Sequence, residues 1–220
     1  MNANKLLRFS KMFYALAASE EIPADSKDLK IVLKNIENLE TYQARKKYAE
    51  KNLEHLSSGS SRIVYKTSDG TVIKMAKNDR GLAQNQEEIK ASSKYNSKYL
   101  NKVIRSAKNY SWMEVPYLEK ITEKNFKDII GVDFNDFGDA LRFSLKKISE
   151  NIDQEKPEKY SEIIKLDLFK EINKLAKDLN LMPGDLARIS SYGIKEGRPI
   201  LADFGLTKKI YEYFYEDSTS

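Results

Sequence analysis

Apolar residues in the first quarter of the chain recur every three to four positions. This spacing predicts one amphipathic helix over residues 1–20 and a second over residues 27–53. Lys5, Arg8 and Lys11 interrupt the first apolar stretch, which favours a docking helix over a secretory signal. A removable leader that ends near Ser19 is the alternative. Residues 1–53 are therefore predicted to form a helical N-terminal extension.

The pattern changes to short β-type segments after residue 53. Residues 62–65 and 71–75 are rich in β-branched side chains and flank Ser68-Asp69-Gly70, a combination that predicts a β-hairpin. Residues 79–95 return to a helical pattern. Two further short strands are expected, around Val103-Ile104 and over residues 111–115, which end at Pro116.

The second half of the chain is predicted to be mostly helical. Helical periodicity runs from about residue 123 to 180, with a charged break at 153–159. Its clearest apolar stripe consists of Leu166, Phe169, Ile172, Leu175, Ala176 and Leu179. Strands are expected around residues 192–194 and 199–202, with a turn at 195–198, followed by a helical tail over 208–215. This order of elements predicts an α+β fold.

Composition excludes several classes of site. The 220-residue chain is 40% hydrophobic and can bury a sizeable core. It has no cysteine and a single histidine, His55, so disulfides, thiolate metal sites and multi-histidine metal sites are excluded. The absence of cysteine is consistent with a reducing cytoplasm, where we expect the protein to reside.

Charge and hydropathy give little support to nucleic-acid or membrane binding. The net charge of +5 comes from 38 basic and 33 acidic residues, which are scattered along the chain. No apolar run approaches the ~20 residues of a membrane span. We therefore expect no membrane span and no nucleic-acid partner.

Two features of the first β segments are candidates for a functional site. Residues 57–61 form a small-residue turn around Gly59, and Lys74 stands within an apolar strand. A lysine that points inward from such a strand requires an anionic partner to offset its desolvation. Glu88, fourteen residues further on, is the first choice, and Glu87 is the rival. Taken separately, each feature also has an ordinary structural explanation, namely a serine-rich turn and a solvated lysine.

Two aspartates in the last quarter of the chain complete the pattern. The segment 200–205, with the sequence Ile-Leu-Ala-Asp-Phe-Gly, resembles the strand and metal-binding turn of the protein-kinase and aminoglycoside-phosphotransferase superfamily. Gly184-Asp185-Leu186, eighteen residues before Asp203, resembles the catalytic-loop aspartate of that superfamily. The resemblance covers residues 54–207. It implies a bilobal fold with a small antiparallel β lobe at 54–116 and a reduced helical lobe at 117–220.

The resemblance also implies a set of roles for individual residues. ATP and Mg²⁺ would be the cofactors. The residues that match the superfamily's positions are Gly59, Ser60 and Val64 over the phosphates; Lys74 with Glu88 on the phosphates; Met113 guarding the inner pocket; Glu114 and Val115 at the adenine-binding hinge; Asp203 and Ser190 on the metal; and Asp185 at the acceptor hydroxyl.

The sequence departs from the family pattern at several positions, so it is compatible with two functions. Ser57 and Arg62 stand where the family has further glycines, Ser190 replaces a metal-binding asparagine, and Pro183 replaces a histidine. Only 15 residues follow Gly205. The first function is transfer of the ATP γ-phosphoryl group to an unknown protein or small-molecule acceptor. The second is a pseudokinase or scaffold, similar to small phage or bacterial kinase-like proteins, that docks a protein partner through residues 1–53 in the host cytoplasm or a virion.

Overall fold

The computed structural model describes the backbone of residues 23–150 and 158–216, and the side chains of 23–145 and 158–216. The helix expected over residues 1–20 lies outside the described residues, as does most of the charged break at 153–159. Within the described part, helices combine with antiparallel sheets, so the fold is α+β.

The segment expected to be one helix over 27–53 forms two helices. These are α1 (Leu29–Asn38) and α2 (Tyr42–Asn52). Leu39 adopts an extended conformation, and the hydroxyl of Thr41 accepts a hydrogen bond from the backbone N–H of Ala44. Threonine at this position starts a new helix because its side chain satisfies a backbone donor that the helix itself leaves open.

A five-stranded antiparallel sheet follows α2. It is built from β1 (Glu54–Ser58), β2 (Arg62–Lys66), β3 (Thr71–Ala76), β4 (Arg105–Ser106) and β5 (Trp112–Pro116) in the order β1-β2-β3-β5-β4, and α3 (Asp79–Lys94) connects β3 to β4. The predicted hairpin is confirmed, with Gly70 in its turn at a φ of 73°. Strand β4 begins at Arg105, directly after the expected Val103-Ile104 segment.

The second half contains a three-stranded antiparallel sheet among helices. In chain order the elements are β6 (Glu119–Lys120), α4 (Glu123–Ile130), α5 (Phe134–Glu150), α6 (Asp167–Leu179), α7 (Pro183–Leu186), β7 (Tyr192–Lys195), β8 (Arg198–Leu201), α8 (Lys208–Tyr211) and a π-helical turn (Glu212–Glu216); single 3₁₀ turns lie at Glu158–Tyr160, Ile163–Lys165 and Ile189–Ser191. The predicted β7–β8 hairpin is confirmed. Its turn residues Glu196 and Gly197 both have positive φ, as a two-residue hairpin turn of type I′ requires.

Two hydrophobic clusters hold these elements together. The first lies between the α1–α2 pair and one face of the five-stranded sheet, and it includes Ile36, Tyr48, Ile73 and Trp112. The second joins α4, α5 and α6 to the three-stranded sheet. The face of the five-stranded sheet that carries Lys74 is thereby left to α3, and this face also carries Arg62.

Candidate functional site

Lys74 lies in the middle of the sheet face that packs on α3. In the antiparallel register Val64 is opposite Lys74 on one side and Met113 is opposite it on the other. Directly opposed residues of antiparallel strands point to the same face. The neighbouring Ile73 and Met75 belong to the hydrophobic cluster on the other face, so strand alternation directs the lysine toward α3.

Glu88 of α3 accepts a hydrogen bond on each of its carboxylate oxygens. Lys74 Nζ donates to Oε2 at 2.7 Å, and Arg62 donates to Oε1 at 2.5 Å. The Glu88 side chain is fully buried. The rival residue, Glu87, instead pairs with Lys90 on the surface of α3. The structure therefore pairs Lys74 with Glu88.

Arg62 and Lys74 also connect Glu88 to the segment that follows β8. The second terminal nitrogen of Arg62 donates to Oδ1 of Asp203 at 2.5 Å, and Lys74 Nζ donates to the backbone carbonyl of Ala202 at 2.5 Å. Both cationic side chains are nearly buried. Residues from β2, β3, α3 and the end of β8 thus share one continuous ionic network.

Two glycines permit the close approach of these segments. A Cβ on Gly81 of α3 would lie 2.2 Å from the carbonyl oxygen of Ser61, and a Cβ on Gly205 would lie 2.7 Å from the carbonyl oxygen of Gln84. Real Cβ atoms do not approach backbone this closely. The two glycines therefore let the loop before Arg62 and the turn after Asp203 pack directly onto α3.

The network keeps both Asp203 and Arg62 ionised. Partial desolvation would raise the pKa of the Asp203 carboxyl, whose side chain is 53% exposed, but the charges of Arg62 and Lys74 hold that pKa well below its usual range. Burial alone would lower the pKa of Arg62, whereas Asp203 and Glu88 raise it above its ordinary value. The Arg62 charge is therefore permanent.

A cavity of about 720 Å³ opens beside this network. That volume lies within the range of ligand pockets. The serine loop, defined here as residues 57–61, covers one side of the cavity. The other lining residues are Arg62, Val64, Lys74, Gln84, Met182, Gly184, Asp185, Arg188, Ser190, Asp203, Leu206, Tyr211 and Tyr215. The lining thus contains Gly59, Ser60, Val64, Lys74, Asp185, Ser190 and Asp203 from the set expected from sequence, while Glu88 lies buried behind Lys74.

Asp185 lies in the short helix α7 at the edge of the cavity. Burial, together with the charge of Asp203, raises the pKa of the Asp185 carboxyl against the opposing effects of Arg188 and Arg62. Arg188 contacts its Oδ1 at 3.1 Å. Ser191 fixes the two aspartate-bearing segments together, because its hydroxyl donates to the Asp185 carbonyl and its own carbonyl accepts from the N–H groups of Ala202 and Asp203.

The residues expected at the adenine hinge lie inside β5 and do not line this cavity. Met113, Glu114 and Val115 are all buried. The Glu114 side chain accepts from Thr71 and pairs with Arg105, and its carbonyl accepts from Ile104 N–H at 2.8 Å. A hinge role for these three residues stays a prediction.

Several lining residues were not assigned to the site from the sequence. Gln84 accepts a hydrogen bond from the Ser61 hydroxyl at 2.6 Å, and Arg188 pairs with Asp185. Tyr211 and Tyr215 stack with ring centroids 5.3 Å apart. Helical spacing of four residues could have signalled the tyrosine pair, whereas the contacts of Gln84 and Arg188 depend on the tertiary fold.

The side chains around Asp203 do not form a preassembled Mg²⁺ site, because the Arg62 guanidinium occupies one of its carboxylate oxygens. Across residues 23–145 and 158–216, no group of three histidine, aspartate or glutamate side chains is placed to hold a metal. Ser190 offers only an exposed hydroxyl, and Oδ1 of Asp203 already binds the Arg62 guanidinium. Mg²⁺ prefers a near-octahedral set of oxygen ligands, usually carboxylates and waters. The metal ligation expected of Asp203 and Ser190 is therefore at odds with the contact that Asp203 makes.

Comparison with known proteins adds a distant structural likeness. No protein-family model matches the chain, and no curated protein matches it. Among solved structures, the chain is similar to APH(2'')-IIa in its ternary complex with streptomycin and ATP, at 13% identity and a TM-score of 0.35 over 74% of this chain and 70% of the other. At this TM-score the likeness carries no argument, so the contacts of the site itself carry the proposal below.

Among the described helices, none combines the length and the apolar character needed to cross a membrane.

Proposed function

We propose that the protein is a phosphotransferase of kinase-like fold that binds ATP in the cavity and transfers its γ-phosphoryl group to a hydroxyl acceptor. One observation carries this proposal: Lys74, held by Glu88, borders the same cavity as Asp185 and Asp203. The three lining residues come from distant parts of the chain. They combine a fixed cation for phosphate with a carboxylate for an acceptor hydroxyl, which are two of the groups that phosphoryl transfer requires.

The phosphates of ATP would lie between the serine loop and Lys74. Small side chains in the loop allow phosphate oxygens to approach backbone and hydroxyl groups closely, and Gly59 is the least obstructive of them. Lys74 and Arg188 both line the cavity and supply positive charge to it. Because Glu88 fixes the Lys74 ammonium, little further ordering of this side chain is needed when the phosphates bind.

Asp185 is the residue proposed to receive the proton of the acceptor. In the transfer step the acceptor oxygen forms a bond to the γ-phosphorus, and the bond between that phosphorus and the β,γ-bridging oxygen breaks. ADP leaves with the electron pair of the broken bond, and the acceptor proton passes to the Asp185 carboxylate. The raised pKa of Asp185 suits a proton acceptor better than an unperturbed carboxylate would.

The Asp185→Asn substitution tests this role. The variant keeps the size of the side chain but cannot accept the proton, so phosphoryl transfer from γ-labelled ATP, with water as the acceptor, should fall by about 10²–10⁴-fold. ATP affinity measured by calorimetry should stay nearly unchanged. Asp128→Asn, at an exposed position of α4, is the matched control and should keep full activity. Equal turnover by Asp185→Asn and wild type would exclude the assigned role.

A pseudokinase or scaffold is the second candidate, and the Arg62–Asp203 contact favours it. Arg62, Lys74, Glu88 and Asp203 form a network of two cations and two carboxylates whose charges balance. Such a network can serve structure alone. The two candidates differ in thermal stability with ATP, since a ligand that binds the native state raises the melting temperature. A melting temperature that does not change at any ATP concentration, with or without Mg²⁺, would support the scaffold.

A further inference from the structure

Arg62 reaches the phosphate site from the first position of β2. It is paired with Ala76 in the register of β2 and β3, two residues along from Val64, so its side chain leaves the strand on the same face as Lys74. The Cα of Gly81 lies close to the carbonyl of Ser61 and lets the strand start pack against α3. The backbone of Arg62 therefore belongs to the sheet and not to the preceding loop.

The guanidinium lies between the carboxylates of Glu88 and Asp203, at 2.5 Å from each. Its side chain is 8% exposed. A guanidinium has five N–H donors, so it can hold both carboxylates and still present donors toward the cavity that it lines. The guanidinium thus provides a fixed positive charge at Asp203. This is the carboxylate that was expected to hold a divalent cation.

We propose that Arg62 takes the place of a metal ion at Asp203, so that ATP binds this cavity independently of divalent cations. The inference rests on the proposed ATP site. A Mg²⁺ ion at Asp203 would either displace the guanidinium from Oδ1 or share the carboxylate with it, and both arrangements are unfavourable. Displacement would leave a buried charge without one of its partners. Sharing would bring the divalent ion to the other oxygen of the same carboxylate, where the fixed positive charge of Arg62 repels it.

Calorimetric titration of ATP into the full-length protein tests the inference, with one series in MgCl₂ and one in EDTA. For the wild type, the two dissociation constants should agree within about threefold, a difference of well under 1.4 kcal/mol. In Arg62→Gln the carboxylate loses its guanidinium, so MgCl₂ should tighten ATP binding by about tenfold or more. Arg142→Gln removes an exposed arginine of α5 that pairs with Asp139 and should behave as the wild type does.

Mn²⁺ binding without nucleotide separates failure of this inference from failure of the ATP site. Electron paramagnetic resonance measures the free Mn²⁺ and therefore its binding. The wild type should bind the ion about tenfold more weakly than Arg62→Gln. If ATP fails to bind in either buffer, the proposed function falls while the Mn²⁺ comparison still decides the role of Arg62. If Arg62→Gln does not fold, the wild-type titrations alone decide it. Wild-type ATP binding that requires MgCl₂, or Mn²⁺ affinity equal in both proteins, would overturn the inference.

Discussion

Glu88 stabilises two buried cations, one through each oxygen of its carboxylate. Replacing it with glutamine keeps the volume but removes the charge that Arg62 and Lys74 share. Removing one partner of a buried ion pair costs about 3–5 kcal/mol, because the remaining charge stays buried without compensation. We expect Glu88→Gln to lower the free energy of unfolding by about this amount, measured by urea denaturation.

Glu87→Gln is the matched control for that measurement. Glu87 is adjacent in sequence and in the same helix, but its carboxylate pairs with Lys90 at the surface. Surface substitutions of this kind change the free energy of unfolding by about 0.5 kcal/mol or less. Equal losses in the two variants would contradict the central position given to Glu88.

At the level of single residues, the sequence identified every charged residue of the ionic network except Arg62. Asp185, Asp203 and the Lys74–Glu88 pair stand in local patterns with recognisable spacing. Arg62 was noticed only as a residue in place of a glycine. Its partner Asp203 lies 141 residues away, and no local pattern connects a strand-initial arginine to a distant carboxylate. The charge balance of the site could therefore emerge only from the tertiary structure.

Among the secondary-structure elements, β2, β3, α3 and the β7–β8 hairpin could be predicted because turn residues and periodicity agree there. The division between α1 and α2 was missed, since the apolar spacing continues across Leu39 to Tyr42 while Thr41 caps a new helix. Strand β4 was displaced because Val103-Ile104 is the more β-branched pair, yet Arg105–Ser106 pairs with β5. Periodicity identifies elements, but capping and register determine where they begin.

The contact between α3 and the serine loop depends on Gly81. Glycine to alanine in a helix normally stabilises by about 0.5–1 kcal/mol. At this position the new Cβ would meet the Ser61 carbonyl oxygen at 2.2 Å, so the loop must move. We expect Gly81→Ala to lose about 1–3 kcal/mol of unfolding free energy, the usual cost of overpacking, and to weaken ATP binding because Arg62 follows directly after the loop.

Gly184→Ala is the corresponding control in α7. A Cβ there would meet no atom within 4 Å, so the free energy of unfolding should stay level or rise slightly. Thermal denaturation of both variants measures the contrast. Equal stability of the two alanine variants would show that the loop yields without cost and that Gly81 does not fix its position.

At the scale of the whole molecule, α1 and α2 share a core with the five-stranded sheet. Val32, Leu33, Ile36 and Tyr48 are buried in the same cluster as Ile63, Tyr65, Ile73, Met75 and Trp112. The α1–α2 pair thus covers the face of the sheet opposite Lys74. Because the strands that carry Arg62 and Lys74 pack on this pair through their other face, the helices support the site from behind.

This shared core predicts that α1 and the sheet unfold together. Ile36 is fully buried, and Ile36→Ala should cost about 2–5 kcal/mol of unfolding free energy. Trp112 is the single tryptophan of the chain and lies in the same cluster, so its fluorescence reports on the sheet while circular dichroism reports on the helices. Both transitions should shift to lower urea by the same amount.

Ile31→Ala removes an exposed side chain of the same helix and should shift neither. A circular-dichroism transition that moves while the Trp112 transition stays in place would show instead that α1 and α2 unfold as a separate unit, and that the sheet carrying Lys74 is stable without them.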